Sequence, residues 1–357
     1  MIKLKIHTDL TRRNALKFVG GAAIASPFIL RSARAADRTI TVRDPGGDWR
    51  NALTAAFYDP FEQETGVRIK PVLAEHDPTA MIKSQVETGN VLWDVTFLTA
   101  AAQAALPTEQ FFEPLDMSGP DVAELVPQAR QPHWMGVSVY ATTLAYNTEV
   151  FGDARPKSWS DFWDLKAFPG RRAMRRHPTD TFEPTLLADG VDPAEVFPLD
   201  IERALRKLDQ IKPDINVWWT GGAQSTLLLK SNEVDMAVVW NARAQSAIDD
   251  GAPYALMWDR AIWGMDGLCI PRGTQNADVA RAFIKFCANA RRQAEFSRNL
   301  AYGPVNPNAF AHIDPERAKI LPTNPEYFDT MVFQDPAGWG PAKDRAVAAF
   351  DAWIIKG

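Results

Sequence analysis

Two aromatics and a glycine pair, Trp218-Trp219-Thr220-Gly221-Gly222-Ala223-Gln224, open the stretch of this 357-residue chain where side-chain chemistry is most concentrated. A Gly-rich loop that opens a helix leaves free backbone N–H groups and the positive end of the helix dipole, which together can hold an anion. Residues 225–230 read as that helix, Ser231-Asn232 as a turn, and 234–240 as a buried strand by length and β-branched content. The strand runs out into Trp240-Asn241-Ala242-Arg243: a stacking face, an amide and a fixed cation. Such groups at the carboxyl ends of strands line the ligand crevices of open α/β sheets. The same residues also suit a capped helix beside a core strand, with Trp for packing. Asp266 is a lone carboxylate in the apolar run Ile262-Trp263-Gly264-Met265-Asp266-Gly267-Leu268. It reads either as a turn residue beside Gly267 or as a ligand's counter-charge, since a partly buried carboxylate needs a cationic or donor partner. Asp180 and Glu183 offer a further carboxylate pair, although acidic residues before Pro184 are also ordinary helix-start chemistry. Arg171, Arg172, Arg175 and Arg176 read as a solvated strand edge.

These residues need a scaffold. Strands are expected at 39–42, 67–72 and 94–98, with helices at 49–61 and 81–88 between them. That alternation implies a parallel, doubly wound sheet. Two longer extended segments follow, at 137–147 and 262–271. Helices are expected at 199–211, where Ile201, Leu205, Leu208 and Ile211 share one face, and at 280–296 and 343–354. The loop holding Gly46-Gly47 lacks the dinucleotide-binding spacing, and no phosphate-binding loop motif occurs.

The chain begins with a twin-arginine pattern, Thr11-Arg12-Arg13-Asn14-Ala15-Leu16-Lys17, an apolar run at 18–30, and Ala33-Arg34-Ala35 as a cleavage signal. Residues 1–35 read as a twin-arginine signal peptide. They carry seven Lys/Arg and one Asp, so the overall charge of −5 becomes −11 for the remainder. An acidic surface argues against nucleic acid or an anionic membrane as partner. About 320 residues exceed one core, so two lobes are expected. Cys269 and Cys287 lack metal-ligand spacing to the five His, and two buried free thiols are the expectation.

Short phrases spread through the chain resemble the spermidine/putrescine-type periplasmic solute-binding proteins of bacterial ABC importers. They are Pro60-Phe61-Glu62 with Glu64-Thr65-Gly66-Val67; Trp93-Asp94-Val95; Leu144-Ala145-Tyr146-Asn147; Lys157-Ser158-Trp159 with Phe162-Trp163; Val238-Val239-Trp240-Asn241; Asp266-Gly267-Leu268-Cys269-Ile270-Pro271; and Tyr302-Gly303-Pro304-Val305-Asn306. The resemblance implies an α/β, two-lobed (type II) periplasmic binding protein. Each lobe would hold a doubly wound, mainly parallel sheet, joined by two crossover hinge strands at 139–146 and 265–270, and would close on a ligand. Lobe 1 would comprise 36–141 plus 268–308, and lobe 2 142–267 plus 309–357. The resemblance makes Asp266 the amine-binding carboxylate and Trp240 a stacking aromatic, with Asp180 and Glu183 on the second lobe. The full candidate ligand set is Trp49, Thr99, Asp180, Glu183, Trp219, Gly221, Gly222, Trp240, Asn241, Arg243, Asp266 and Tyr302. No cofactor and no metal are expected. The expected partners are an amine-bearing or amino-acid-like small molecule and an inner-membrane ABC permease, with the protein a periplasmic monomer.

The sequence departs from the polyamine pattern at three places. Gly264 stands where a tryptophan is expected two residues before Asp266. The first loop reads Gly46-Gly47-Asp48-Trp49, and Arg243 with Gly221-Gly222 forms an anion site that a polycation does not need. A putrescine or spermidine ligand therefore competes with a zwitterion such as 4-aminobutyrate or an opine-like conjugate. An exported enzyme and a ferric-iron binder on the same fold remain the other readings. The chain shows no Gly-x-Ser-x-Gly elbow, no His-rich metal motif and no adjacent tyrosine pair.

Overall fold

The computed structural model describes residues 38–74 and 78–356; the twin-arginine segment and its cleavage signal lie outside them. The main strands are ordered Arg68–Leu73, Thr39–Asp44, Val95–Thr99, Tyr254–Cys269, Trp134–Asn147, Met236–Trp240, Arg172–Arg175, Ile215–Trp219. The first three run parallel, and so do the last three. Between them, two long strands run antiparallel to each other and to their outer neighbours. The expected pair of parallel sheets is thus present, but these two crossing strands join them into one continuous sheet. The crossings are also longer than expected, at 14 and 16 residues.

The hydrophobic residues gather into two main cores, one on each side of the crossing. The first includes Ile40, Val42, Phe57, Phe97 and Phe283 and extends to Ala309, Ile313 and Leu321. Residues 309–321, expected with the second lobe, therefore pack against the first. The second core includes Phe162, Phe182, Leu208, Val238, Trp339 and Phe350. Each crossing strand contributes to both: Met135 and Tyr140 to the first and Leu144 and Tyr146 to the second, with Met265 and Leu268 against Met257 and Ile262 on the other strand. This is the two-lobed fold expected from the sequence.

Local elements differ from expectation where side chains compete with the helix backbone. The expected helix at 280–296 is two helices, Ala277–Phe286 and Ala290–Asn299. Asn289 accepts from the backbone N–H groups of Arg291 and Arg292, and so starts a new helix where the periodicity continues through. The helix expected at 49–61 begins at Gly47 and runs to Thr65, with a π-helical turn at Thr54–Tyr58. The arginine cluster is a solvated edge only in part: Arg171 and Arg176 are exposed, but Arg172 is wholly buried and donates to the carbonyls of Phe162, Gly170 and Phe168. Cys269 and Cys287 are both buried and free. Among the described residues no helix is long and apolar enough to cross a membrane.

The crossing strands approach closely because they carry glycine where they meet. Gly136 and Gly267 face each other in register, and the Trp134 indole lies over Gly267 and donates to the Leu98 carbonyl at 3.0 Å. A Cβ on Gly267 would sit 2.3 Å from the Trp134 ring and 2.4 Å from the Met135 carbonyl oxygen. The backbone atom has no room to yield. Gly267→Ala is expected to destabilise the protein by about 1–3 kcal/mol, read as a lower urea midpoint at unchanged slope.

Candidate ligand-binding site

The two cores meet over a cavity of about 110 Å³, close to the roughly 150 Å³ that takes benzene in an engineered core. One wall comes from the first lobe. The loop before the helix Gly47–Leu53 is tied down by Asp44, wholly buried, which accepts from the Gly46 N–H at 2.8 Å, from Arg50 and from Tyr58 Oη at 3.1 Å. This places Gly47 and Trp49. The Trp49 ring meets Tyr302, Phe296 and Phe97 edge-on at 5.0, 5.5 and 5.8 Å, because apolar packing rather than a polar anchor orients it. Thr99 caps the helix Ala100–Ala104 by accepting from the Ala102 N–H at 3.0 Å. The second wall holds Arg175, Asp180, Gly222, Trp240 and Arg243, and Asp266 projects from the second crossing strand.

Eight of the twelve expected residues line this cavity: Trp49, Thr99, Asp180, Gly222, Trp240, Arg243, Asp266 and Tyr302. Four do not, and each has another job. Trp219 is buried and donates to the Val238 carbonyl at 3.0 Å, bracing Trp240 edge-on at 5.1 Å. Gly221 precedes the helix Gly222–Lys230 as its cap. Asn241 is wholly buried and stitches the lobes, accepting from the Ala141 N–H at 2.9 Å and donating to the Ala301 carbonyl at 2.6 Å. Glu183 is also wholly buried. It accepts from Trp339 Nε1 at 2.6 Å, from Gln334 Nε2 at 2.9 Å and from the Asp180 N–H at 3.1 Å. Burial, then the charge of Asp180, pushes its carboxyl up to about 7.

The sequence reading missed Arg43, Tyr140 and Arg175, which also line the cavity. Arg43 sits one residue before Asp44 at the end of a first-lobe strand, and Tyr140 in a strand buried along its whole length; single positions of this kind carry no local signal. Gly264 now has a reason. It faces Tyr140 in register, and a Cβ there would lie 2.9 Å from both the phenol Cζ and Oη. Tyr140 fills the room a tryptophan at 264 would need. Trp263 does not replace it, since its ring packs on Phe333 at 4.4 Å and Phe328 at 5.0 Å.

The charged residues fall into two groups. Asp180, in left-handed backbone at φ 68, is fully engaged. Arg175 donates to it at 2.6 Å, Trp240 Nε1 at 3.0 Å and Gln334 Nε2 at 2.9 Å. The Arg175 guanidinium also lies 4.8 Å above the Trp240 ring. Arg243 and Asp266 are the opposite case. Arg243 is 2 % exposed, yet among the described residues Nε and Nη1 have no hydrogen-bond partner and its guanidinium forms no ion pair. It rests on Gly222, where a Cβ would fall 2.5 Å from Nε, so it shares its position with the open end of the helix Gly222–Lys230. The Asp266 carboxylate likewise accepts no hydrogen bond among the described residues. Burial, then the field of Asp180, pushes it up to about 7, against the pull of Arg43, Arg243 and Arg175. The described residues include no cluster of His, Cys, Asp and Glu suited to a metal ion.

Comparison with known proteins fits this architecture. Residues 56–323 match the bacterial extracellular solute-binding protein family. The chain belongs to that family. It is 31 % identical to the gamma-aminobutyric acid-binding protein of Pseudomonas aeruginosa over 91 % of this chain and 93 % of that one. It is 20 % identical to the spermidine/putrescine-binding periplasmic protein of Escherichia coli, covering 82 % and 86 % of the two chains. Among solved structures, an ABC transporter substrate-binding protein from Bradyrhizobium japonicum shares 37 % identity at a TM-score of 0.82, covering 89 % and 99 %. The periplasmic binding protein AgtB of A. tumefaciens R10, in complex with agropinic acid, shares 30 % at 0.82, covering 90 % and 99 %. The protein is the substrate-binding component of an ABC transporter, which binds a small molecule and delivers it to the permease.

A half-buried carboxylate that accepts no hydrogen bond weakens the fold once it is ionised. Its folded-state value, about 7, lies above the ordinary carboxylate value, so the ligand-free protein loses stability as pH rises from about 4 to about 7. Asp266→Asn is therefore expected to raise ligand-free stability at pH 8 by roughly 1–3 kcal/mol, with the gain shrinking toward pH 4. Thermal unfolding of both proteins at the two pH values checks this.

Proposed function

We propose that the transported solute is a small zwitterion with an amine and a carboxylate at opposite ends, of the 4-aminobutyrate class. The observation that carries this reading is the pair of unmatched charges. The cavity holds a buried cation, Arg243, and an anion, Asp266, that take no hydrogen bond or ion pair from the described residues. A carboxylate on Arg243 would make charge-assisted, bidentate hydrogen bonds within reach of the Gly222 helix end. An ammonium on Asp266 would be flanked by the rings of Trp49 and Tyr302, and the cavity's aromatic side chains would cover the methylene chain. Arg243 belongs to the second lobe and Asp266 to the strand built into the first, so a two-ended ligand would bridge the lobes. They already touch through Ser246 Oγ on Asp48 at 2.8 Å and Arg317 on Asp249 at 3.0 Å.

The gamma-aminobutyric acid-binding relative supports this choice, and the cavity volume favours a short chain over a large opine. A polyamine carries no carboxylate and would leave Arg243 unmatched. Calorimetry with 4-aminobutyrate, putrescine, spermidine and agropinic acid tests the reading. The first is expected to bind at least about 100-fold more tightly than either polyamine, whereas preference for a polyamine would overturn it. Because the ammonium needs Asp266 ionised, affinity for 4-aminobutyrate is expected to fall as pH drops below about 7, by up to about tenfold per unit. A flat profile between pH 5 and 8 would remove Asp266 from the amine end.

A further inference from the structure

We infer that Arg175, held in place with Gln334, is the residue that excludes diamines from this site. The inference rests on the zwitterion reading and adds to it a specificity determinant outside the two anchoring charges. The cavity is lined by two carboxylates, Asp180 and Asp266, which is the number a diamine needs. Only one of them is available. Asp180 already takes an ion pair from Arg175 at 2.6 Å, an indole N–H from Trp240 at 3.0 Å and an amide N–H from Gln334 at 2.9 Å. Three donors on two oxygens leave little capacity for a ligand ammonium, and the guanidinium cancels the charge that would attract one.

The arrangement is anchored from several directions, which makes it a fixed feature rather than a loose surface pair. Arg175 also donates to the Thr179 carbonyl at 3.2 Å and lies over the Trp240 face at 4.8 Å. Gln334 is 2 % exposed, accepts from the Tyr140 phenol at 2.6 Å, and donates to both Asp180 and Glu183 at 2.9 Å. Its amide orientation is thereby set: oxygen to Tyr140, nitrogen to the carboxylates. The cation over Trp240 carries a second consequence. A stacking face that could receive a ligand ammonium is already in use by one of the protein's own. Discrimination here works by removing a favourable contact for the wrong ligand, since the two solutes differ mainly in what the second end carries.

The test is calorimetry of the wild type, Arg175→Leu and Gln334→Met, each with putrescine and with 4-aminobutyrate. The leucine substitution strips the cation from Asp180 and from the Trp240 face. The methionine substitution removes one amide donor from outside the cavity, so a fold defect at one position does not silence the test. Arg175→Leu is expected to tighten putrescine binding at least about tenfold, and Gln334→Met to tighten it by less. In both, the ratio of putrescine to 4-aminobutyrate affinity rises. Variants that unfold cooperatively like the wild type but keep the wild-type ratio would overturn the inference. Loss of 4-aminobutyrate binding in Arg175→Leu without any gain for putrescine would also overturn it, by making Arg175 a carboxylate anchor. A wild-type protein that already prefers putrescine would instead defeat the zwitterion reading on which the inference stands.

Discussion

A buried ion without a hydrogen-bond partner is among the most costly things a fold can contain; Arg243 is one, and the half-buried carboxylate of Asp266 faces the same cavity. Arg243 and Asp266 set the terms for the rest of the site. Neither takes a hydrogen bond or ion pair among the described residues, although Arg43, Arg243 and Arg175 all pull on Asp266 through space. Asp180 is spent on Arg175, Trp240 and Gln334, and Glu183 on Gln334, Trp339 and a backbone N–H. The surrounding networks thus keep these two carboxylates occupied, and the proposed solute would meet Arg243 and Asp266 instead. The upward shift of Asp266 reflects the same tension. The stability forgone in the ligand-free protein is what a matched ligand restores.

The scaffold makes such an arrangement possible by keeping the two charges on separately cored bodies. Two long strands, each part of both cores, run beneath the cavity. Glycine at 136, 264 and 267 lets them pass close to one another and admits the Trp134 and Tyr140 rings where side chains would collide. Asn241 joins the first crossing strand to the loop at Ala301, at the base of the helix that carries Arg243. The outer contacts, Ser246 with Asp48 and Arg317 with Asp249, tie the two lobes together beside the cavity.

Much of this was legible in local sequence. A lone Asp in an apolar strand and an Arg just past a β-branched run stand out because solvation makes such placements rare. The Gly221-Gly222 helix start was also visible, although only Gly222 reaches the cavity, since it must lie against the guanidinium. The misreadings share one cause, which is contact between residues far apart in the chain. Asp180 and Glu183 looked like free ligand carboxylates because their partner Gln334 lies about 150 residues away. Asn241 follows a motif tryptophan but turns inward to backbone groups 100 and 60 residues distant. Arg175 sits in a run of four arginines in which one, Arg172, is wholly buried and another lines the site, a division that periodicity does not report. Gly264 signalled only that something was missing, and the tyrosine that fills its place is on the other crossing strand.

The central claim is that both ends of the solute are recognised together, each by a charge the protein leaves unpaired. The most direct measurement compares 4-aminobutyrate with its two end-deleted relatives, 1-aminobutane and butyrate, by calorimetry at pH 8, where Asp266 is ionised. The account requires that either deletion weaken binding by at least about 100-fold, because each leaves one charge of the cavity unmatched. Binding of either one-ended compound within about tenfold of 4-aminobutyrate would contradict it, since one of the two charges would then contribute nothing to recognition.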